Sequence, residues 1–295
     1  MAGSGKLRFG WIDVAVLASV AAAAAYVVHR VDAVLHYRWD WSQVWVYLLR
    51  IDPATGDWAL GLLLKGFITT IRLAAFGIAL AAVVGLVFGL ARVSERLFLR
   101  LVAGSYVELV RNMPPLVFMF IFYFFLSSQI VPLLGIERLA RTSSPGTLAA
   151  LGWLFGEPKL LANFLSGLFC LVLFEGAYIT EIVRAGIQSI DAGQWEAADS
   201  LGLGRWQRMR KVILPQALRR ILPPLAGQFI MLIKTSSIVS LISIQELTFI
   251  ATEITVTSGR VFEIWITVAV LYFAVSALLS LLFQRLERGG PQTAH

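Results

Sequence analysis

"QWEAADSLGLGRWQRMRKVILPQALRR", residues 194–220, carries Arg205, Arg208, Arg210, Lys211, Arg219 and Arg220 between two long apolar runs. An ionised side chain in hydrocarbon costs several kcal/mol, so a stretch this polar does not lie inside a bilayer. It is a loop on one membrane face, and its flanks are the segments that cross. Working outward, stretches of about 20 apolar residues, the length needed to cross roughly 30 Å of hydrocarbon, recur at 11–28, 60–91, 113–134, 160–180, 221–245 and 264–283. The chain of 295 residues is 58% hydrophobic and 15% charged, with a mean hydropathy of +0.77. That balance belongs to an all-α, polytopic membrane protein with about six transmembrane helices.

The net charge of +7 raises nucleic-acid binding, but the placement of the basic residues explains it otherwise. With the N-terminus in the cytoplasm, the inside segments hold fifteen Lys or Arg residues and the outside segments seven, with Lys65, Arg72 and Lys234 in or near spans. Cytoplasmic loops carry the basic excess in membrane proteins, so both termini and the 194–220 loop are expected in the cytoplasm, with no nucleic-acid partner. Lys6 and Arg8 ahead of an apolar run also fit a cleavable secretory signal. The run continues to Val28 and contains Asp13, which favours a retained helix. Residues 39–50, with Trp39, Trp41 and Trp45 close together, read as an interfacial helix. The expected organisation is an N-terminal helix at 1–30, an outside segment at 31–58, a transmembrane domain at 59–288 with a cytoplasmic loop at 189–220, and a tail at 289–295.

Soluble-enzyme chemistry has no footing. His29, His36 and His295 have no metal or catalytic spacing, Cys170 sits alone in an apolar run, and "GLVFGLAR" lies inside a span without the Lys-Ser/Thr of a phosphate loop. Gly77, Ala81, Gly85 and Gly89 recur every four positions, a small-residue face suited to close helix packing.

Within the loop, Asp191 and Gln194 make a capping-box pattern that starts a helix near Ala192. Gly202 suits its left-handed C-terminal cap, giving about ten residues. Ala192, Trp195, Ala198 and Leu201 fall on one apolar face, with Glu196 and Asp199 elsewhere. A second helix begins near Gly204, and Pro215 is expected to bend or end it. Two short helices on a cytoplasmic loop form a knob that docks into another protein.

"EAADSLGLGRWQRMRKVILP" resembles the EAA loop of bacterial ATP-binding-cassette (ABC) importer permeases, with Glu196, Ala197, Ala198, Gly202, Leu214 and Pro215 at the motif positions and Val212 where the pattern usually has Ile. "YVELVRNMPPLVFMFIFYFFL", "GAYITEIVRAGIQSIDAGQWEAA" and "LPQALRRILPPLAGQFIMLIKTSSIVSLISIQELT" are similar to the polar amino acid importer permeases of the histidine, glutamine and arginine type. The resemblance covers roughly residues 60–288. It implies a type I importer core of five helices, to which the N-terminal helix is an addition. It also implies a second permease, identical or not, an ABC ATPase that binds ATP and Mg in place of any cofactor in this chain, and a periplasmic substrate-binding protein, all in the bacterial inner membrane system. Trp195, Glu196, Ala197, Ala198, Leu201, Gly202, Leu214 and Pro215 then couple to the ATPase. A permease for another small solute, or a secondary transporter working without ATP, are the alternatives.

Charges inside the spans are functional candidates by default. Glu175, with Tyr178 at i+3, either meets a substrate ammonium group or pairs with Arg72, Arg111 or Lys234. Lys234 is a candidate for a substrate carboxylate. Arg111 and Glu181, at positions common in the family, read as gating or ion-pairing residues, while Lys65 and Arg72 are expected to snorkel.

Overall fold

The computed structural model describes residues 10–288. Lys6, Arg8, the tail at 289–295 and His295 therefore lie outside the described residues. The chain divides into two compact units at the boundary between Gln43 and Val44. In the first, α1 (Trp11–Leu35) is a 25-residue helix with 0% of its most apolar window buried. Asp13, polar at the start of this apolar helix, accepts the Gly10 backbone N–H at 2.7 Å, which gives the carboxylate a capping role. Trp39 and Trp41 stack at 6.1 Å.

The boundary falls inside α2 (Ser42–Leu48), which continues into β1 (Leu49–Ile51) paired with β2 (Trp58–Leu60). The pairing is antiparallel, with Leu49 opposite Leu60 and Ile51 opposite Trp58. The helix expected over 39–50 is thus cut short. Turn chemistry stops it: Asp52 accepts the Ala54 N–H at 2.9 Å and Gly56 adopts φ +73°. The hairpin is the one departure from an otherwise helical architecture among the described residues.

Six helices among the described residues are long and apolar enough to cross a membrane. After α1 the next is α3 (Leu62–Arg92). A turn leads to α4 (Leu97–Arg111) and then α5 (Pro115–Ile121), a π turn at Phe122–Ser127 and α6 (Ser128–Leu133), which together make the third span. Two short helices, α7 (Ile136–Thr142) and α8 (Pro145–Phe155), precede α9 (Leu161–Gln188). Then come α10 (Ala192–Ser200), α11 (Arg205–Arg208), a π turn at Met209–Ile213 and α12 (Leu214–Thr235), with a 3-10 extension to Ile242. The helices α13 (Leu247–Ser258) and α14 (Val261–Arg288) end the described chain.

Burial orders these helices around α9, whose span window is 67% buried, against 6% for α14. Leu168, Cys170, Leu171 and Phe174 of α9 pack with Leu73 of α3 and Met119 of α5, so Cys170 is a core hydrophobe. The small-residue face explains the close approach of α3 and α9. A Cβ on Gly85 would stand 2.3 Å from Ile179 Cγ2, and one on Gly89 2.5 Å from Val183 Cγ1. The contacts advance together along both helices, so the two run parallel.

Of the two outcomes expected at Pro215, a bend or an end, the helix does not end. Pro215 sits in the first turn of α12, immediately after the π turn, and one helix runs from Arg205 to Ile242. The wider π turn accommodates the missing amide donor without a break.

Candidate functional site

The 189–220 loop is closed at both ends of α10. The Asp191 carboxylate accepts the Gly193 N–H at 2.7 Å. Gln194 does not complete a capping box. Its side chain instead accepts from Gln216 Nε2 at 3.0 Å, which ties α10 to α12. At the other end Gly202 adopts φ +69°. The Gly202 N–H reaches the Asp199 carbonyl at 2.9 Å and the Leu203 N–H reaches that of Ala198 at 3.2 Å, the two bonds of a Schellman cap. The helix is nine residues long.

The expected apolar face of α10 divides in two. Ala198 is 1% exposed, and Trp195 packs on the chain's own cluster of Ile187, Ile190 and Ile213. These two side chains fasten the knob to the transmembrane domain and are not free for a partner. The exposed surface includes Glu196 and Ala197 on α10, Leu201 at its C-terminal cap and Trp206 on α11, with Leu201 and Trp206 78% and 71% exposed. Leu214 is half-buried and Pro215 exposed. Trp206 escaped the sequence reading because the four-residue helix that carries it is too short to show a period.

Above the loop, Glu181 of α9 gathers three guanidinium groups: Arg92 at 3.3 Å, Arg111 at 3.7 Å, and Arg184 one turn on. The Arg111 guanidinium also lies over the Tyr178 ring, 5.4 Å from its centroid. The structure thus brings Arg111 and Glu181 together and adds Arg92, which in sequence is merely the last residue of an apolar helix.

No hydrogen bond or ion pair joins Glu175, Tyr178 and Lys234 among the described residues. Glu175 is 1% exposed and accepts a hydrogen bond from Gln228 Nε2. Arg72 donates instead to the Trp153 carbonyl at 2.7 Å. Lys234 is exposed and makes no salt bridge among the described residues. The expected pairing of Glu175 with a cation is absent there, and Gln228, a neutral side chain one helix away, supplies the polar partner.

Two polar groupings went unread in the sequence. A cavity of about 410 Å³ opens beside the N-terminal half of α3, lined by Lys65, Thr69 and Arg72 together with Glu157, Asn163 and Gln245 from distant positions. The other is a closed network at Glu246, which is 0% exposed. Its carboxylate caps α13 through the Phe249 N–H at 2.9 Å and accepts from Thr70 Oγ1 at 3.1 Å and Tyr272 OH at 2.8 Å. Thr70 Oγ1 accepts the Leu247 N–H at 3.1 Å. Both groupings join residues far apart in the chain, which no local spacing reveals.

The glutamine transport system permease protein GlnP of Escherichia coli is 34% identical over 251 residues, spanning 85% of this chain and 97% of that protein. The probable amino-acid ABC transporter permease protein YckA of Bacillus subtilis is 36% identical, over 76% of this chain and 87% of its own. The crystal structure of an amino acid ABC transporter with histidines superposes with a TM-score of 0.60 at 34% identity, covering 77% of this chain and 93% of that one. The inward-facing MetNI methionine transporter, at 18% identity and a TM-score of 0.52, shares the fold. Residues 77–289 match the sequence profile of the binding-protein-dependent transport system inner membrane component. The chain, a membrane-spanning transport component rather than an enzyme, belongs to that family.

Proposed function

We propose that this chain is the permease subunit of an ATP-driven amino acid importer, coupled to a partner ATPase through the knob at α10 and α11. The observation that carries this reading is the build of the knob. It is capped at both ends, fastened inward by Ala198 and Trp195, and presents Leu201 and Trp206 outward. A rigid apolar projection at the end of a transmembrane bundle fits a groove in a partner, and a partner that closes on ATP then moves the helices attached to it. ATP and Mg bind to that ATPase, the loaded binding protein docks on the opposite face, and a second permease completes the pathway. The amino acid relatives and the cavity beside α3 support the solute class. Lys65 and Arg72 suit a carboxylate, and Glu157 suits an ammonium group.

Reconstitution of the chain with its ATPase, binding protein and any second permease tests this. Uptake of radiolabelled amino acids is expected only with ATP and loaded binding protein present. Uptake by the chain alone, driven by an ion gradient, overturns the reading in favour of a secondary transporter.

A further inference from the structure

Arg208 occupies an unusual position for a residue in a polar loop. Its side chain is 18% exposed, and it contacts three groups from two parts of the fold. One guanidinium nitrogen pairs with Asp199 of α10. The other lies 4.0 Å from Glu95, in the turn between α3 and α4. The guanidinium plane covers the Trp195 ring at 5.2 Å. Arg205, one turn earlier, reaches the second oxygen of Glu95 at 2.5 Å. Glu95 follows Arg92, which pairs with Glu181 of α9 at 3.3 Å. A chain of ion pairs therefore leads from α10 through Arg208 and Glu95 to the end of α3, and from there to α9.

The knob has covalent connections to α9 and α12 only. Its sole charged link to α3 and α4 among the described residues is the Glu95 pair with Arg205 and Arg208. We infer that Arg208, held by Asp199 and Trp195, is a positioning residue that uses Glu95 as a strut to pass displacement of the knob to α3 and α4, so that these helices move with α9 and α12. The inference rests on the proposed coupling role and deepens it. The planar fork suits the task because it meets a carboxylate on each edge and an aromatic ring on its face, which an ammonium group cannot do. Glu95 is 55% exposed, so the strut is weak enough to break and re-form during a cycle and is screened by salt.

The test uses the complete transporter in nanodiscs, with Glu95→Gln, Arg208→Lys and the double variant. Assembly and uptake by the unaltered chain test the functional reading, and the variants alone test the strut. The ATPase is expected to remain bound in all three. The number of amino acids imported per ATP is expected to fall about two- to fivefold in Glu95→Gln, the factor carried by an ion pair of this exposure. The double variant is expected to fall no further than Glu95→Gln, which already lacks the Glu95 pair that Arg208→Lys weakens. The same fall is expected in the unaltered transporter as salt is raised, and not in Glu95→Gln. A merely structural role would lower the melting temperature and leave the import ratio unchanged. An unchanged ratio in Glu95→Gln, or additive losses in the double variant, overturns the inference. Loss of the ATPase from Arg208→Lys also overturns it, by making Arg208 part of the docking surface.

Discussion

Gly85 of α3 lies against Ile179 of α9 so closely that a Cβ on the glycine would stand 2.5 Å from the isoleucine Cβ and 3.1 Å from its carbonyl carbon. Backbone, as well as side chain, must give way to any larger residue. Gly85→Ala is expected to cost about 1 to 3 kcal/mol, the usual range for overpacking, read as a lower melting temperature of the purified chain. Gly227→Ala, where a Cβ meets nothing within 4 Å, is the matched control and is expected to leave the melting temperature unchanged or slightly raised. Equal effects at both positions would mean that the contact between α3 and α9 is not what the small-residue face provides.

The two sides of the knob make opposite predictions. Ala198 is 1% exposed inside this chain, so Ala198→Glu buries an unpaired charge, which costs several kcal/mol. The expected outcome is a loop that proteases cut readily, whether or not an ATPase is present. Trp206→Ala removes a 71% exposed side chain and is expected to leave the melting temperature unchanged. Truncating an anchor of this kind costs about 2 kcal/mol of binding or more, which is roughly 30-fold in affinity for the ATPase. Titration of the labelled ATPase onto nanodiscs measures it, and unaltered affinity would remove Trp206 from the interface.

Glu246 is expected to be a structural acceptor, and its removal should be felt through its partners. Glu246→Ala leaves the Phe249 N–H without its acceptor and takes one of two partners from the Thr70 and Tyr272 hydroxyls, which keep the Gly66 carbonyl and Thr248. Each buried unsatisfied donor costs about 1 to 3 kcal/mol. Tyr272→Phe removes one of the same bonds and adds no new donor, so it should destabilise less, and the two changes together should cost less than their sum. Melting temperatures of the three variants form the cycle, and simple additivity would show that the network is not shared.

What was legible in the sequence follows the range of each interaction. The spans, the small-residue face of α3 and the caps of α10 depend on neighbours within a few positions, and their spacing shows them. The inward turn of Trp195 and Ala198 does not, because a helix of nine residues with one apolar face can place it against a partner or against its own chain with the same pattern. Asp52 and Gly56 carry a turn signal just beyond the 39–50 segment, and the three tryptophans alone do not show that the chain turns back into a hairpin. The Glu246 network joins Thr70 and Tyr272, 176 positions before it and 26 after it, so only the tertiary structure assembles it. Glu175 was recognised as important for its charge, but its partner Gln228 is neutral and could not be found by pairing charges.

The cavity beside α3 and the buried Glu175 offer two places for a substrate to meet charge, and their surroundings decide between them. Glu175 is already bound by Gln228, so an ammonium group would have to displace that amide from a site that is 1% exposed. Arg72 lines an open cavity of about 410 Å³ with Lys65 and Glu157, and among the described residues one of its nitrogens is committed, to the Trp153 carbonyl. Arg72→Gln is therefore expected to weaken half-saturating uptake about 10- to 150-fold, the range for losing a hydrogen bond to a charged group. Arg72→Lys should recover part of it, because the charge remains while the fork is lost. Glu175→Gln should change uptake little, since a glutamine still accepts from Gln228. Uptake curves for the three variants, at matched protein levels and melting temperatures, measure these differences. A loss in Glu175→Gln with normal uptake in Arg72→Gln would move the site from the cavity to the interior of α9, with Gln228 acting as the group a substrate displaces.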